Sequence, residues 1–570
     1  MEEAASHAHE QPMSDVTIIG SGIAGTVLAS ILSRAGLDVL LLDAGTHPRF
    51  AVGESTIPHT SMLMHMVAKR YDVPEIEELA SFEGVQRRVS PASGIKRNFG
   101  FLYHREGRSQ EPAEANELPL PGIINTENHF FRQDVDAWML SVAVRYGATV
   151  RQRVSVTDVD IDDGGATLTS ATGETWRTRF VVDASGFRSP LADKMDLREQ
   201  PSRLRHHART LFTHMINVKP YESLVPHGTH ANVMPWSQGT LHHIFEGGWI
   251  WVIPFNNHAQ ARNPLVSVGL SLDPRIHPRP EDVTPEEEFR QFIARFPDIA
   301  PQFEGARSVR EWVSTGRFQY SSKQTVGYRW CLTAHASGFI DALFSRGLAN
   351  TFEIINALGW RLIEAVREDD FAVERFKLVE ELEQGLLDFN DDLVANAYTS
   401  WKHYDLWDAW FRVWSVNQRL SNFEINRAFG RYLKTGDRHI LEDYERHAVR
   451  GTLAEYQPAR QLFASASEQL RQVHENTLAP RAAAQSIMSA LRTADFLPPA
   501  LGAGEPLNRC IHVTPNKVVS MLKWAKSDAP PEVGRLVHEG LTYFLGRRFA
   551  PGKFNPVSEV FKARRRAKAK

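Results

Sequence analysis

Val16-Thr17-Ile18-Ile19, then Gly20-Ser21-Gly22-Ile23-Ala24-Gly25, an apolar segment from Thr26 to Ala35, and Asp38-Val39-Leu40-Leu41-Leu42-Asp43 decide the fold. A short β-branched run that breaks into glycines and continues as an apolar helix is the strand, loop and helix of a dinucleotide site. The glycines allow a tight turn and close approach of backbone to a pyrophosphate, and the helix N-terminus supplies N–H groups and the positive end of a dipole. Asp43 ends the second strand about 20 residues beyond the loop, where an acid meets a ribose 2′-hydroxyl. Gly20, Gly22, Ile23, Ala24, Gly25 and Asp43 are therefore candidate cofactor residues in a Rossmann-like α/β fold.

The chain has 570 residues, enough for two or three domains. Hydrophobic residues at 42% and charged residues at 23% are those of a globular protein, and no apolar run is long enough to span a membrane. Residues 1–12 read as a disordered lead rather than a secretory signal. Two cysteines, Cys331 and Cys510, suit a reducing compartment, so the cytoplasm is expected. A net charge of −3 gives no reason to expect nucleic acid, although the tail Lys562–Lys570 is basic and reads as a frayed helix end. The pairs His206-His207 and His242-His243 lack metal-ligand spacing, and no metal is assigned.

Further motifs narrow the cofactor. Phe131-Arg132-Gln133-Asp134 opens an amphipathic helix, and Phe180-Val-Val-Asp183-Ala-Ser-Gly186 ends a strand in a loop; both resemble elements of hydroxylase-type FAD proteins. Taken singly they are a helix-start charge and a glycine turn. In this order, Arg132 and Asp183 become FAD contacts. Trp249-Ile250-Trp251-Val252-Ile253-Pro254 places two indoles on one face of a strand that a proline ends, a pattern that taken alone is more often core packing than chemistry.

Together with Gly53-Glu54-Ser55-Thr-Ile-Pro58, Gly94-Ile-Lys96-Arg-Asn-Phe-Gly-Phe101 and Trp330 to Thr351, the Trp-x-Trp-x-Ile-Pro pattern resembles the flavin-dependent halogenases over nearly the whole chain. The resemblance implies an FAD used as FADH2, O2 and chloride, with a separate flavin reductase and a small aromatic substrate as partners. It places Gly53, Glu54 and Ser55 against the flavin and makes Lys96 the catalytic lysine. It assigns chloride to the backbone N–H groups of Arg346 and Gly347, and separation of flavin from substrate to Trp249, Trp251 and Pro254. The implied reaction runs through a C4a-hydroperoxyflavin to hypochlorous acid directed by Lys96, either hydrogen-bonded to an ammonium or held as a chloramine.

Three positions depart from the family pattern. Ala334-His335 stands for a Gly-Asp that contacts the flavin's ribityl-pyrophosphate portion, leaving His335 as its replacement. Phe344 stands where tryptophan halogenases carry a glutamate partner for the lysine, which argues against free tryptophan as substrate. Ala342 stands for a proline, with little consequence for function. The likeness, which extends through the C-terminal region, is greatest to the branch acting on phenylpyrroles in pyrrolnitrin biosynthesis, an antibiotic pathway of secondary metabolism. That implies chlorination of a pyrrole ring at the 3-position of monodechloroaminopyrrolnitrin.

These readings divide the chain into an FAD-binding region with the lysine segment at 13–148 and an FAD element plus β-rich substrate region at 149–330. A flavin and chloride segment follows at 331–365, then a helical substrate-pocket region at 366–570. The expected class is α/β: an FAD-binding Rossmann-like domain of hydroxylase type, an interleaved β-rich substrate domain and a helical C-terminal region. Aromatics from Trp401 to Trp414 recur every three or four residues, as if on one helix face; with Phe344, Trp407 and Trp410 are candidate pocket residues, core packing being the other reading. An FAD-dependent aromatic hydroxylase and a non-catalytic flavin-binding protein fit the cofactor motifs as well; Lys96 and the tryptophan pair separate the first from a halogenase.

Overall fold

The computed structural model describes residues 13–120, 127–449 and 455–548. The lead at 1–12 and the basic tail lie outside them. Ser14–Ile19, Val39–Asp43 and Thr149–Gln152 pair in parallel on one side, and Thr175–Asp183 and Trp330–Leu332 continue the parallel sheet on the other. An antiparallel hairpin, Val156–Asp162 and Gly165–Ser170, joins at Thr175–Asp183. Strands buried on both faces need continuous apolar runs, which is what Val-Leu-Leu-Leu provides. Helices Ile23–Arg34 and Arg132–Arg145 pack together over this sheet, with helix Gly347–Glu368 against the former.

A second sheet is mostly antiparallel. Its order runs Arg307–Ser308, Arg209–Ile216, Val266–Leu272, Gly248–Pro254, Thr240–Phe245, Asn98–Tyr103 and Ala115–Pro119. The β-rich stretch expected at 149–330 is thus shared: strands up to Asp183 and from Val326 belong to the first sheet, while Asn98–Tyr103 and Ala115–Pro119 enter the second from earlier in the chain. Sequence order does not fix strand neighbours, because a crossover can return the chain to either sheet. A two-stranded piece, Gly94–Lys96 against Glu127–His129, lies beside the second sheet.

From Gly347 the described chain is helical, ending with Pro531–Arg548. The aromatic stretch is not one helix. Val373–Ser400 ends at its cap Trp401, and a new helix begins at Tyr404 and runs to Thr435. Within it the stripe divides: Trp407, Phe411 and Trp414 meet Phe101, whereas Trp410 packs on Phe463 and donates from Nε1 to Leu393 O (3.2 Å). At about 100° per residue, position 410 sits roughly 60° round from 407, enough to face a different helix.

Candidate active site

Between the first strand and helix Ile23–Arg34 the loop is shaped for a ligand. Gly20 takes a positive φ of 102°, and a Cβ there would meet Ala184 O at 2.7 Å; a Cβ on Gly25 would meet Gly20 O at 1.9 Å. A Cβ on Gly22 would meet nothing within 4 Å, so the loop opens on that side. Gly22 caps the helix without a side-chain bond, which leaves the first-turn N–H groups of Ile23, Ala24 and Gly25 to an anion. This cradle fits the pyrophosphate of a dinucleotide.

The charged residues assigned to the cofactor are engaged with the protein itself. Asp43 accepts from Ser21 N (2.6 Å) and Ser21 Oγ (2.7 Å) and pairs with Arg49 at 2.5 and 2.7 Å. Asp183 gathers its own loop through Ser185 N (2.9 Å) and the hydroxyls of Ser185 and Ser189 (both 2.6 Å). Arg132 grips Asp136 and donates to the carbonyls of Val52 (2.6 Å) and Gly53 (3.0 Å), fixing the loop that leads into Glu54-Ser55. Glu54 accepts from His214 Nε2 at 2.8 Å. Ser55 turns instead toward the lysine.

Paired residues of an antiparallel ladder share a face, and so do alternate residues of a strand. The register Lys96 with Glu127 and Gly94 with His129 therefore puts Lys96, Glu127 and His129 on one face. Lys96 is wholly buried, and its Nζ donates to Ser55 Oγ (2.8 Å), Thr56 O (3.0 Å) and Ser345 Oγ (3.3 Å), with the Phe99 ring centroid at 3.5 Å. Burial pushes Lys96 well below the usual lysine range against the opposing pull of Glu127. Burial likewise lifts Glu127 to about 6, although the hydroxyls of Ser61 and Thr56, each at 2.7 Å, and Lys96 oppose it.

Trp249 and Trp251 lie side by side, ring centroids 5.4 Å apart, on the strand that ends at Pro254. Gly269, opposite Trp251, makes room for this: a Cβ there would stand 2.0 Å from the indole. His242 stacks between Phe101 (4.3 Å) and Trp249 (5.3 Å), joining the tryptophan pair to the aromatic group around Trp407 and Trp414. Phe344 belongs to that group, 4.7 Å from Trp414. Next to it, Ser345 reaches Lys96, and Arg346 caps helix Gly347–Glu368 with no side-chain bond, so this N-terminus too presents backbone N–H groups. His335 Nε2 is buried without a hydrogen-bond partner and lies 3.3 Å from where a Cβ of Gly347 would be; burial, then Arg132, lowers its pKa to about 4. The Arg346 guanidinium is also buried, which lowers it to about 10.

The structure thus brings Lys96, Ser55, Phe344 and the 345–347 turn together, with the tryptophan pair reached through His242. Trp410 points away. Sequence reading missed Thr56, Glu127, His129, Thr240 and Ser345. Only the alternation of Glu127 and His129 just ahead of the Arg132 motif offered a signal. The adjacent histidines are engaged in ordinary bonds, His242 to Gly100 O (2.9 Å) and His243 to Gln302 (2.7 Å). Elsewhere, Glu424, His447 and Glu455 bring ligand atoms within 4.8 Å of one another, with His447 and Glu455 paired at 3.0 Å.

A family model described as an FAD binding domain matches residues 13–298. Tetracycline 7-halogenase of Kitasatospora aureofaciens is 49% identical over 526 residues, 92% of this chain and 94% of that protein. Monodechloroaminopyrrolnitrin halogenase PrnC of Pseudomonas fluorescens is 41% identical over 541 residues, 93% and 95%. Among solved structures, halogenase PltM in complex with phloroglucinol and FAD superposes with a TM-score of 0.84 at 35% identity, covering 87% of this chain and 99% of that one.

Proposed function

Because the chain belongs to the flavin-dependent halogenases, we propose that it chlorinates an electron-rich aromatic ring with Lys96 as the residue that directs the halogen. It is an oxidoreductase whose cofactor is FAD, used with O2 and chloride. A separate flavin reductase supplies FADH2, and the two unpaired thiols suit work in the cytoplasm. When bound, reduced FAD with O2 supplies the oxidising equivalent that turns chloride into hypochlorous acid.

The chain's residues do the rest. Helix N–H groups at Ile23, Ala24 and Gly25 hold the pyrophosphate, and those of Arg346 and Gly347 hold chloride as fixed dipoles. Trp249, Trp251 and Pro254 keep an organic substrate away from the flavin. Lys96 receives the oxidant and turns it toward an arene bordered by Phe344 and Trp407. The observation that carries this reading is Lys96 itself: a lysine without exposed surface, bonded only to hydroxyls and a carbonyl, one of them in the chloride turn. Burial favours its neutral form, which keeps a lone pair for chlorine.

The pyrrole ring of monodechloroaminopyrrolnitrin, at its 3-position, is the first substrate to test. A tetracycline is the second, favoured by the greater identity to the tetracycline enzyme. With FADH2, O2 and chloride supplied, the wild type should replace one ring hydrogen of one of them by chlorine, read as the mass of chlorine less that of hydrogen. Lys96→Ala should lose at least about a thousandfold in halogenation, the scale of a proton-handling group, while still binding FAD. Full activity in that variant would refute the assignment. Replacing both Trp249 and Trp251 by Leu should lower halogenation relative to O2 consumed; an unchanged ratio would remove the wall.

A further inference from the structure

The hydroxyl that holds Lys96 does not stand alone. Ser55 Oγ lies 3.0 Å from Thr240 Oγ1, which lies 3.0 Å from His129 Nε2, and His129 Nδ1 lies 2.9 Å from Pro254 O. We propose that Thr240 and His129 are positioning residues for Lys96: a hydrogen-bond chain of fixed direction from Lys96 to the Pro254 carbonyl holds Nζ so that its remaining position faces Ser345 and the chloride turn. The inference rests on the role of Lys96 proposed above.

Direction follows from the last acceptor. A carbonyl can only accept, so His129 carries its proton on Nδ1. The imidazole is buried and neutral, its pKa lowered to about 3 by burial first and by Lys96 next, so Nε2 is a bare lone pair. Thr240 must donate to it. A hydroxyl has one proton, so Thr240 accepts from Ser55, and Ser55, its own proton spent, accepts from Lys96. A second Lys96 N–H is bound by Thr56 O, another obligatory acceptor. The third direction points at Ser345 Oγ, the longest of the three contacts. An ammonium donates there; a neutral amine turns its lone pair there. The chain also ties the lysine to the tryptophan strand, because Pro254 ends it.

Close packing is built around this link. A Cβ on Gly94, two residues from Lys96 on the same face, would stand 2.3 Å from Pro254 O, so the short strand can approach the carbonyl only as glycine. Ser55 and His129 are also bridged through their backbones. The ionisable groups facing the chain are Glu127 and His129 on their strand and His242 on Thr240–Phe245, with Glu83 acting through Glu127.

The test compares Thr240→Val, which keeps the shape and removes the hydroxyl, with Thr240→Ser, which restores it. Thr240→Val should lower kcat for halogenation at least about tenfold with the arene KM within about twofold, and Thr240→Ser should recover most of the rate. In full-length protein without added flavin, labelled lysine spectra, with Lys96 assigned by Lys96→Met, should show its titration midpoint falling by about half a unit or more in Thr240→Val, because Ser55, its own proton held by Thr240, is a stronger acceptor for the ammonium. Unchanged kcat and midpoint, or a loss of kcat without a shift in midpoint, would overturn the proposal. A wild-type measurement decides it even if the variants fail to fold: labelled histidine spectra must show His129 neutral and protonated on Nδ1, and the other tautomer or a charged ring would reverse the chain. If Lys96→Ala were fully active, the function would fall while these spectra still reported on the chain.

Discussion

Burial holds Lys96 below the usual lysine range, and Glu127 is the charge that opposes it. Its carboxylate stabilises the ammonium, so Glu127→Gln removes a pull that raises Lys96. The limb of the kcat profile that depends on Lys96 should move to lower pH in that variant. Below about 6 the wild-type carboxyl is itself increasingly protonated, so wild type and variant should converge there. A shift to higher pH would contradict the pairing. Glu127 thus stands where the lysine's carboxylate partner would be sought once Phe344 is seen to pack on Trp414. The sequence pointed to Lys96 through the halogenase resemblance of Gly94 to Phe101, whereas Glu127 lies 31 residues on, in a strand of three residues. Strands that short have no periodicity to read; their register is fixed by what they pack against.

At the scale of elements, helix Tyr404–Thr435 does two jobs with one aromatic series. Trp407 faces Phe101 and the site, while Trp410 locks the helix to Val373–Ser400 and Gln457–His474. Both indoles are fully buried, so truncation of either to Ala should cost about 3–5 kcal/mol in urea unfolding. Only Trp407→Ala should also raise the KM for the arene. An equal rise in Trp410→Ala would place the pocket on the other side of the helix. The three-and-four spacing announced burial correctly, but a stripe wide enough to touch two neighbours does not say which residue meets which. The turn at Trp401 was equally hidden, since Lys402 and His403 carry no glycine or proline to mark it.

Across the whole molecule, the helical region is fastened to the cofactor side by a buried charge cluster. Glu445, on helix His439–Ala448, accepts from Arg70 (2.7 Å), Arg361 (2.8 Å) and Asn356 (3.2 Å), uniting the helices Pro58–Arg70 and Gly347–Glu368. Removing one partner of such a group leaves buried charge uncompensated, and Glu445→Ala should destabilise the protein by about 3–5 kcal/mol. Since no member touches the site around Lys96, kcat of the folded fraction should stay close to wild type; a large loss would show that this cluster reaches the chloride turn through helix Gly347–Glu368. By itself the sequence determined the dinucleotide loop, the tryptophan strand, the lysine segment and the helical end. The loop, the tryptophan strand and the helical end are written in sterics and side-chain period over a few neighbouring residues, the lysine segment only in its resemblance to the halogenases. Only the tertiary structure decided that Thr240 serves a lysine through a serine 185 positions away, that Glu127 faces it, and that strands 98–103 and 115–119 complete the second sheet. Those pairings depend on desolvation and on the direction of hydrogen bonds, and neither exists until distant segments are packed against one another.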